Sequence, residues 1–202
     1  MKKRLAGLLF SVTAVAGAVG AGVSPASADT TVSLTYPVSG STYINAIRTS
    51  IPLGPGTLSA TADLTTSAVT GNVNLPAATG SFKELGLVPV TATTAFVEQG
   101  QTTGTLESDG GIQATSHITL KLTSLKVAGI PVPVGNSCQT AVPATITLTS
   151  ESGFNALTGG TVSGTYTIPR FVHCLLATPL INLTLPGPNN TITLNLGAAT
   201  GS

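Results

Sequence analysis

The stretch Ile112-Gln-Ala-Thr-Ser-His-Ile-Thr-Leu-Lys-Leu-Thr123 decides the fold class. Ile112, Ala114, Ile118, Leu120 and Leu122 alternate with Gln113, Thr115, His117, Thr119, Lys121 and Thr123. Only Ser116 interrupts the apolar face. Successive side chains on an extended backbone point to opposite faces, so a period of two predicts a half-buried strand.

The same period recurs on both sides of this stretch. Val32, Leu34 and Tyr36 alternate with polar residues near the start, and Val88, Val90 and Ala92 begin another run. Ala144, Ile146 and Leu148 alternate with Thr145, Thr147 and Thr149. Val162, Tyr166 and Ile168 form a further face, and so do Ile192, Leu194 and Leu196. β-Branched Thr and Val suit a pleated, half-wetted surface. No sustained 3.6-residue apolar stripe follows residue 28, so no helix is predicted there.

Gly54-Pro55-Gly56, Gly110-Gly111, Gly159-Gly160 and Pro186-Gly187-Pro188-Asn189-Asn190 read as turns between the runs. Pro89 and Pro131-Val132-Pro133 favour edges or connections. Roughly eight to eleven short strands separated by such breakers predict an all-β, antiparallel fold. An antiparallel β-sandwich is the first expectation and a closed β-barrel the alternative.

The beginning of the chain reads as an address. Lys2, Lys3 and Arg4 precede an uncharged stretch from Leu5 to Val23, then Pro25 and the A-x-A sequence Ala26-Ser27-Ala28. This is the three-part pattern of a secretory signal peptide over residues 1–28, with cleavage between Ala28 and Asp29. The expected mature chain is a single β domain over residues 29–202, with a possible sub-boundary near 129–135. No membrane span is expected once the signal is removed. The expected location is extracellular or cell-wall associated.

The mature chain carries five basic and seven acidic residues, a formal charge of −2. Charged residues are 7% of the whole sequence, against about 25% in an ordinary domain. Val, Ile, Leu and Phe nevertheless make up 47 of the 174 mature residues, above the roughly 20% below which disorder is expected. The chain is threonine-rich instead of charged. No basic surplus points to nucleic acid.

Cys138 and Cys174 are the two cysteines. In an exported chain they read as a disulfide. There is no C-x-x-C and no basic cluster to activate a thiol.

Residues able to carry chemistry are few. His117 lies on the Thr/Lys face of its strand and reads as exposed surface, and His173 adjoins Cys174. Two histidines without clustered carboxylates make a poor metal site, so no metal and no cofactor are predicted. There is no G-x-S-x-G elbow. Asp63, Glu84, Glu98, Glu107, Asp109 and Glu151 are scattered, whereas a glycosidase needs two carboxylates across one bond. Glu107 with Asp109-Gly110-Gly111 resembles a calcium loop only weakly and reads better as a turn. Asn182-Leu-Thr184 and Asn189-Asn-Thr191 match the glycosylation sequon, which has no role in a bacterial host.

The segments Leu34-Thr-Tyr-Pro-Val, Gly80-Ser-Phe-Lys-Glu-Leu-Gly, Gly135-Asn-Ser-Cys-Gln-Thr and Gly160-Thr-Val-Ser-Gly-Thr-Tyr-Thr-Ile-Pro carry a resemblance. So does Pro186-Gly-Pro-Asn-Asn-Thr-Ile-Thr-Leu-Asn-Leu-Gly. With these segments the chain resembles a group of uncharacterised secreted proteins from Streptomyces-type actinobacteria. The resemblance implies export, one compact unit and the Cys138–Cys174 bridge. It brings no activity and no functional residue.

Three functions follow as expectations. The first is a secreted non-catalytic structural or interaction module, with an unknown protein or cell-wall partner met by strand-edge pairing. The second is a carrier of an apolar small molecule or lipid. In that reading the apolar runs Leu85 to Val90, Gly129 to Val134 and Leu175 to Leu185 line a cavity between sheets. The third is a hydrolase whose carboxylates converge only in the fold. The first makes the chain no enzyme, with no catalytic residue assigned.

Overall fold

A computed structural model describes residues 30–201, apart from residue 85. Ten strands of five residues or more appear among the described residues. They are β1 (Thr31–Ile44), β2 (Thr49–Asp63), β3 (Ala68–Asn74), β4 (Ala78–Glu84), β5 (Val88–Glu98), β6 (Thr102–Leu106), β7 (Ile112–Val127), β10 (Ala144–Ser150), β11 (Gly160–Ile168) and β13 (Gly187–Leu196). Two-residue pairings supply β8 (Ile130–Pro131), β9 (Gln139–Thr140), β12 (Phe171–Val172) and β14 (Thr200–Gly201).

All-β architecture and antiparallel pairing are as the sequence predicts, and of the two arrangements the barrel forms. Eight strands follow one another in the order β10-β11-β13-β1-β2-β3-β6-β7, and β7 then pairs back to β10. The ring closes because the first half of β7 has two neighbours. Ile112 to Thr115 pair with β6 on one side, and Gln113 to Ile118 pair with β10 on the other. A sandwich would leave two separate sheets with free edges. Here one sheet curls on itself, and eight strands enclose an interior about as wide as the side chains that fill it.

Bulges help the sheet curl. One lies where Val38 pairs with Gly56 but Gly40 pairs with Leu53. Gly54-Pro55-Gly56, expected as a turn, therefore sits inside β2 at this shift in register. A second shift separates Tyr166 from Ile168 against β13.

The second half of β7 runs on beyond the ring. Its residues 118–127 pair with β5, which pairs with β4. Lys121 pairs with Gln139 of β9, and Lys126 and Val127 pair with β8. β9 in turn pairs with β12.

The Cys138–Cys174 disulfide is formed, and both cysteines are fully buried. It joins the chain before β9 to the chain after β12. The Cys138 carbonyl also accepts a hydrogen bond from Leu122 N at 3.0 Å, so the bridge is tied directly to β7.

A helix forms where none was predicted. After a 3-10 turn at Leu175–Ala177 comes α1 (Thr178–Thr184). At seven residues it is too short to show a stripe, and its position comes from outside itself. The Asn182 side chain accepts from Phe171 N at 2.7 Å and donates to Phe171 O at 2.8 Å. Ile181 and Ala177 are buried beneath it. No helix among the described residues is long and apolar enough to cross a membrane.

The disulfide closes a loop of 36 positions. Replacing both cysteines with alanine should cost about 3–4 kcal/mol in urea unfolding, the loop-closure value for that length. A cost near zero would mean that β9, β12 and α1 hold together without it.

Candidate functional site

The barrel interior is the candidate site. Even-numbered residues of β7 face inward, among them Ile112, Ala114, Ile118 and Leu120. Ile146 and Leu148 of β10, Ile192 and Leu194 of β13, and Val38 and Leu53 meet them from around the ring. They leave a cavity of about 100 Å³ in the middle of the barrel.

A second space of about 250 Å³ adjoins it and shares Leu58, Thr102, Ile112, Ala114 and Leu196. It lies toward the end where β1 begins and where β2–β3, β6–β7 and β10–β11 turn. Its walls carry small residues: Ala60, Ala62, Gly71, Gly104 and Ala114. The opposite end of the interior is filled by large ones, Phe96, Leu120 and Tyr166 with Ile44, Phe82 and Phe171, and holds only about 60 Å³.

The β10–β11 connection covers part of the wider end. Tyr36 Oη donates to Ala156 O at 2.7 Å, and Ala199 N donates to Leu157 O at 2.9 Å. Phe154 lies against Gly160, where a Cβ would come within 2.8 Å of the Phe154 Cα, so the close approach depends on glycine. Val32, Leu64 and Leu157 line this space and are also exposed, so the rim is apolar.

Polar groups in the interior are few. Glu98 enters where β5 ends. Its Oε1 accepts from Thr102 Oγ1 at 2.8 Å and its Oε2 from Val73 N at 3.0 Å. Glu98 is the one acid lining the central cavity. Thr42 Oγ1 donates to Thr191 O at 2.9 Å, so the 2.7 Å contact with Tyr166 Oη has the phenol as donor. Burial pushes the Tyr166 phenol above its ordinary pKa. Burial raises Tyr36 as well. Ser116, at 5% exposure, lines the cavity, and its Oγ is buried with no hydrogen-bond partner.

The other residues singled out from the sequence lie elsewhere. His117 is exposed, with Nδ1 3.2 Å from Thr145 Oγ1, and His173 is exposed beside the disulfide. Asp63, Glu107, Asp109 and Glu151 lie at the turns of the wider end. Asp63 accepts from Thr65 N and Thr66 N and is held below its ordinary pKa, chiefly by the Thr66 side chain. Glu107 and Asp109 form a turn, with Gly111 N donating to Asp109 Oδ1 at 2.9 Å. Among the described residues no three His, Cys, Asp or Glu side chains gather as metal ligands do. The expected cleavage point, Ala28 and Asp29, lies outside the described residues.

The apolar runs expected to line a cavity between sheets do not line the barrel's central cavity. Val88, Val90, Leu180, Ile181 and Leu185 instead border an outer pocket of about 220 Å³ between α1 and the β5–β7 sheet. The central lining comes from the alternating strands, because only alternation aims one set of side chains inward. Ser116 had a signal in the sequence, as the one polar residue on its apolar face. Glu98 continues the even-numbered face of Val88, Val90 and Ala92, beyond where that run was read.

Compared with known proteins, the chain matches no protein-family model, no curated protein by sequence and no solved structure by fold.

Two predictions follow from these interior groups. Ser116→Ala should leave stability unchanged or raise it by up to about 1–3 kcal/mol in urea unfolding, because it removes a buried hydroxyl with no partner. A clear loss would reveal a hydrogen bond at that oxygen. Tyr36 and Tyr166 hold their protons more tightly when folded, so their contribution is complete below pH 10 and is lost as pH rises above it. A Tyr36→Phe/Tyr166→Phe variant should lose less stability than the parent between pH 10 and pH 11 in the same assay.

Proposed function

We propose that this protein is an exported carrier of an apolar small molecule, held inside the barrel. The observation that carries this reading is the unfilled space of about 250 Å³ at one end of the interior, walled by small apolar residues and rimmed by exposed ones. An apolar cavity of roughly 150 Å³ is already enough to take up benzene. The adjoining central cavity extends the space along the barrel axis. Ser116 and Glu98 there offer a hydroxyl and a carboxylate to a polar group on the ligand.

This reading promotes the second of the three expectations. A purely structural module has no use for an apolar space behind an apolar rim. A hydrolase of the paired-carboxylate kind needs a second acid beside Glu98, and the cavity lining supplies none. Export fits the buried disulfide, a bond of oxidising compartments. The basic, apolar and A-x-A pattern of residues 1–28 supports it, as does the resemblance to secreted actinobacterial proteins.

The test is titration with a neutral fluorophore such as N-phenylnaphthylamine. Saturable one-to-one binding is expected. Ala60→Leu/Ala114→Leu, which fills the space from two walls, should weaken it by at least about tenfold, the effect of roughly 1.4 kcal/mol, while circular dichroism stays unchanged. Absence of saturable binding, or binding indifferent to the filled variant, would overturn the reading. Native mass spectrometry of protein from the host's own medium should then show a mass beginning at Asp29, less two hydrogens, with an adduct lost on denaturation.

A further inference from the structure

Glu98, Thr102 and Ser116 line the central cavity together. The strand register makes them neighbours on one wall. Thr103 pairs with Thr115, which brings Thr102 beside Ser116. Glu98 pairs with Ile118, two residues along β7 from Ser116. Same-face neighbours on adjacent strands stand about 5 Å apart and diagonal ones about 7–8 Å. One small polar group between them is therefore within reach of all three.

The donors and acceptors of this cluster do not balance. Thr102 gives its hydroxyl proton to Glu98 Oε1, and Val73 N donates to Oε2. A carboxylate offers about four lone-pair sites and no proton, so the half-buried Glu98 keeps about two sites open. Ser116 Oγ is the one buried side-chain polar atom without a partner among the described residues. Such an atom is uncommon in a native protein and marks a place for a water or a ligand. Among the described residues, no Lys, Arg or His lines the central cavity or the wider space beside it. The walls thus hold spare acceptors and one negative charge, with no cation of their own to meet it.

We infer that the ligand is a primary amine with an apolar body, its ammonium seated between Glu98, Thr102 and Ser116. This rests on the carrier reading and names the class of molecule carried. An ammonium brings three N–H donors, a positive charge and no acceptor, which is the complement of that cluster. A fatty acid would set a second carboxylate against Glu98, with only the Ser116 proton to receive it. An alcohol brings one donor and no charge. Thr102 borders both spaces, so the head group sits where they join and the apolar body extends into the wider one. The mouth suits a cation as well. Asp63, Glu107, Asp109 and Glu151 stand at its turns, and residues 63–67, 107–111 and 151–159 contain no Lys or Arg. A negative mouth draws cations in and turns anions away.

The test is calorimetric titration of the chain from Asp29, which contains every described strand and both cysteines, with octylamine, 1-octanol and octanoate at neutral pH. The three share a tail and differ only in the head group, and the amine is an ammonium at this pH. Octylamine is expected to bind at least about tenfold tighter than octanol, with octanoate weakest, because a hydrogen bond to a charged group outweighs a neutral one. Glu98→Gln removes the charge and should bring octylamine to within about threefold of octanol. Ser116→Ala removes a hydroxyl that has no partner in the protein and should weaken octylamine by about tenfold. An unchanged Tm verifies the fold of each variant, and Ser116→Ala decides alone if Glu98→Gln lowers it. Equal affinity for the three ligands, a preference for octanoate, or full octylamine affinity in Ser116→Ala would overturn the inference. Saturable binding of the neutral fluorophore would in that case leave the carrier reading standing. Failure of the fluorophore and of all three ligands to bind would overturn both.

Discussion

The backbone pairing of β7 with β10, from Ile118 opposite Ala144 to Gln113 opposite Thr149, turns an open sheet into a closed ring. Every other property of the molecule depends on that contact. If it were absent, the inner side chains of eight strands would face water across a gap, and both strands would present free edges. With it, the backbone groups of the ring are satisfied around the circumference, and one face of each strand becomes interior. The two strands sit about 30 residues apart in sequence, so the contact is non-local. The disulfide lies within that interval and reaches onward to Cys174, holding the returning chain to β7 through the Leu122–Cys138 hydrogen bond.

Closure also explains why so few charges suffice. Open sheets guard their edges with lysines and other charges, because an exposed edge pairs with other chains. A barrel has no such edge along its ring. Its outer wall can be built from Thr and Ser, whose hydroxyls pair across strands. Ser33 meets Thr61 at 3.1 Å, and in the outer layer Thr79 meets Thr93 at 2.9 Å and Ser81 meets Thr91 at 3.0 Å. The few charges left are then free to be placed by end. Asp63, Glu107, Asp109 and Glu151 sit at the wide mouth, and the described lysines and arginines lie toward the other end.

The interior is graded by residue size. Phe96, Leu120 and Tyr166 close the space at one end, while Ala60, Gly71, Gly104 and Ala114 leave it open at the other. A uniformly packed barrel would read as a scaffold. This gradient makes a pocket out of the same eight strands, with Ser116 and Glu98 lying where the wide part narrows.

Period-two alternation, read from Ile112 to Thr123 and repeated in the other runs, determined the all-β class. It also told which side chains face inward, because that depends only on local backbone geometry. The lone pair of cysteines determined the bridge. Ser116 was visible as an exception to its face. Whether the strands close into one ring or stack as two sheets was decided by tertiary structure, since both use the same alternation and differ only in which distant strands pair. The same holds for α1, which is too short to show a period and is set by Phe171 and the buried Ile181. The pocket depends on small residues from separate strands meeting at one level of the barrel, and the sorting of charge depends on the alternating direction of those strands. Neither is a property of any single stretch of sequence.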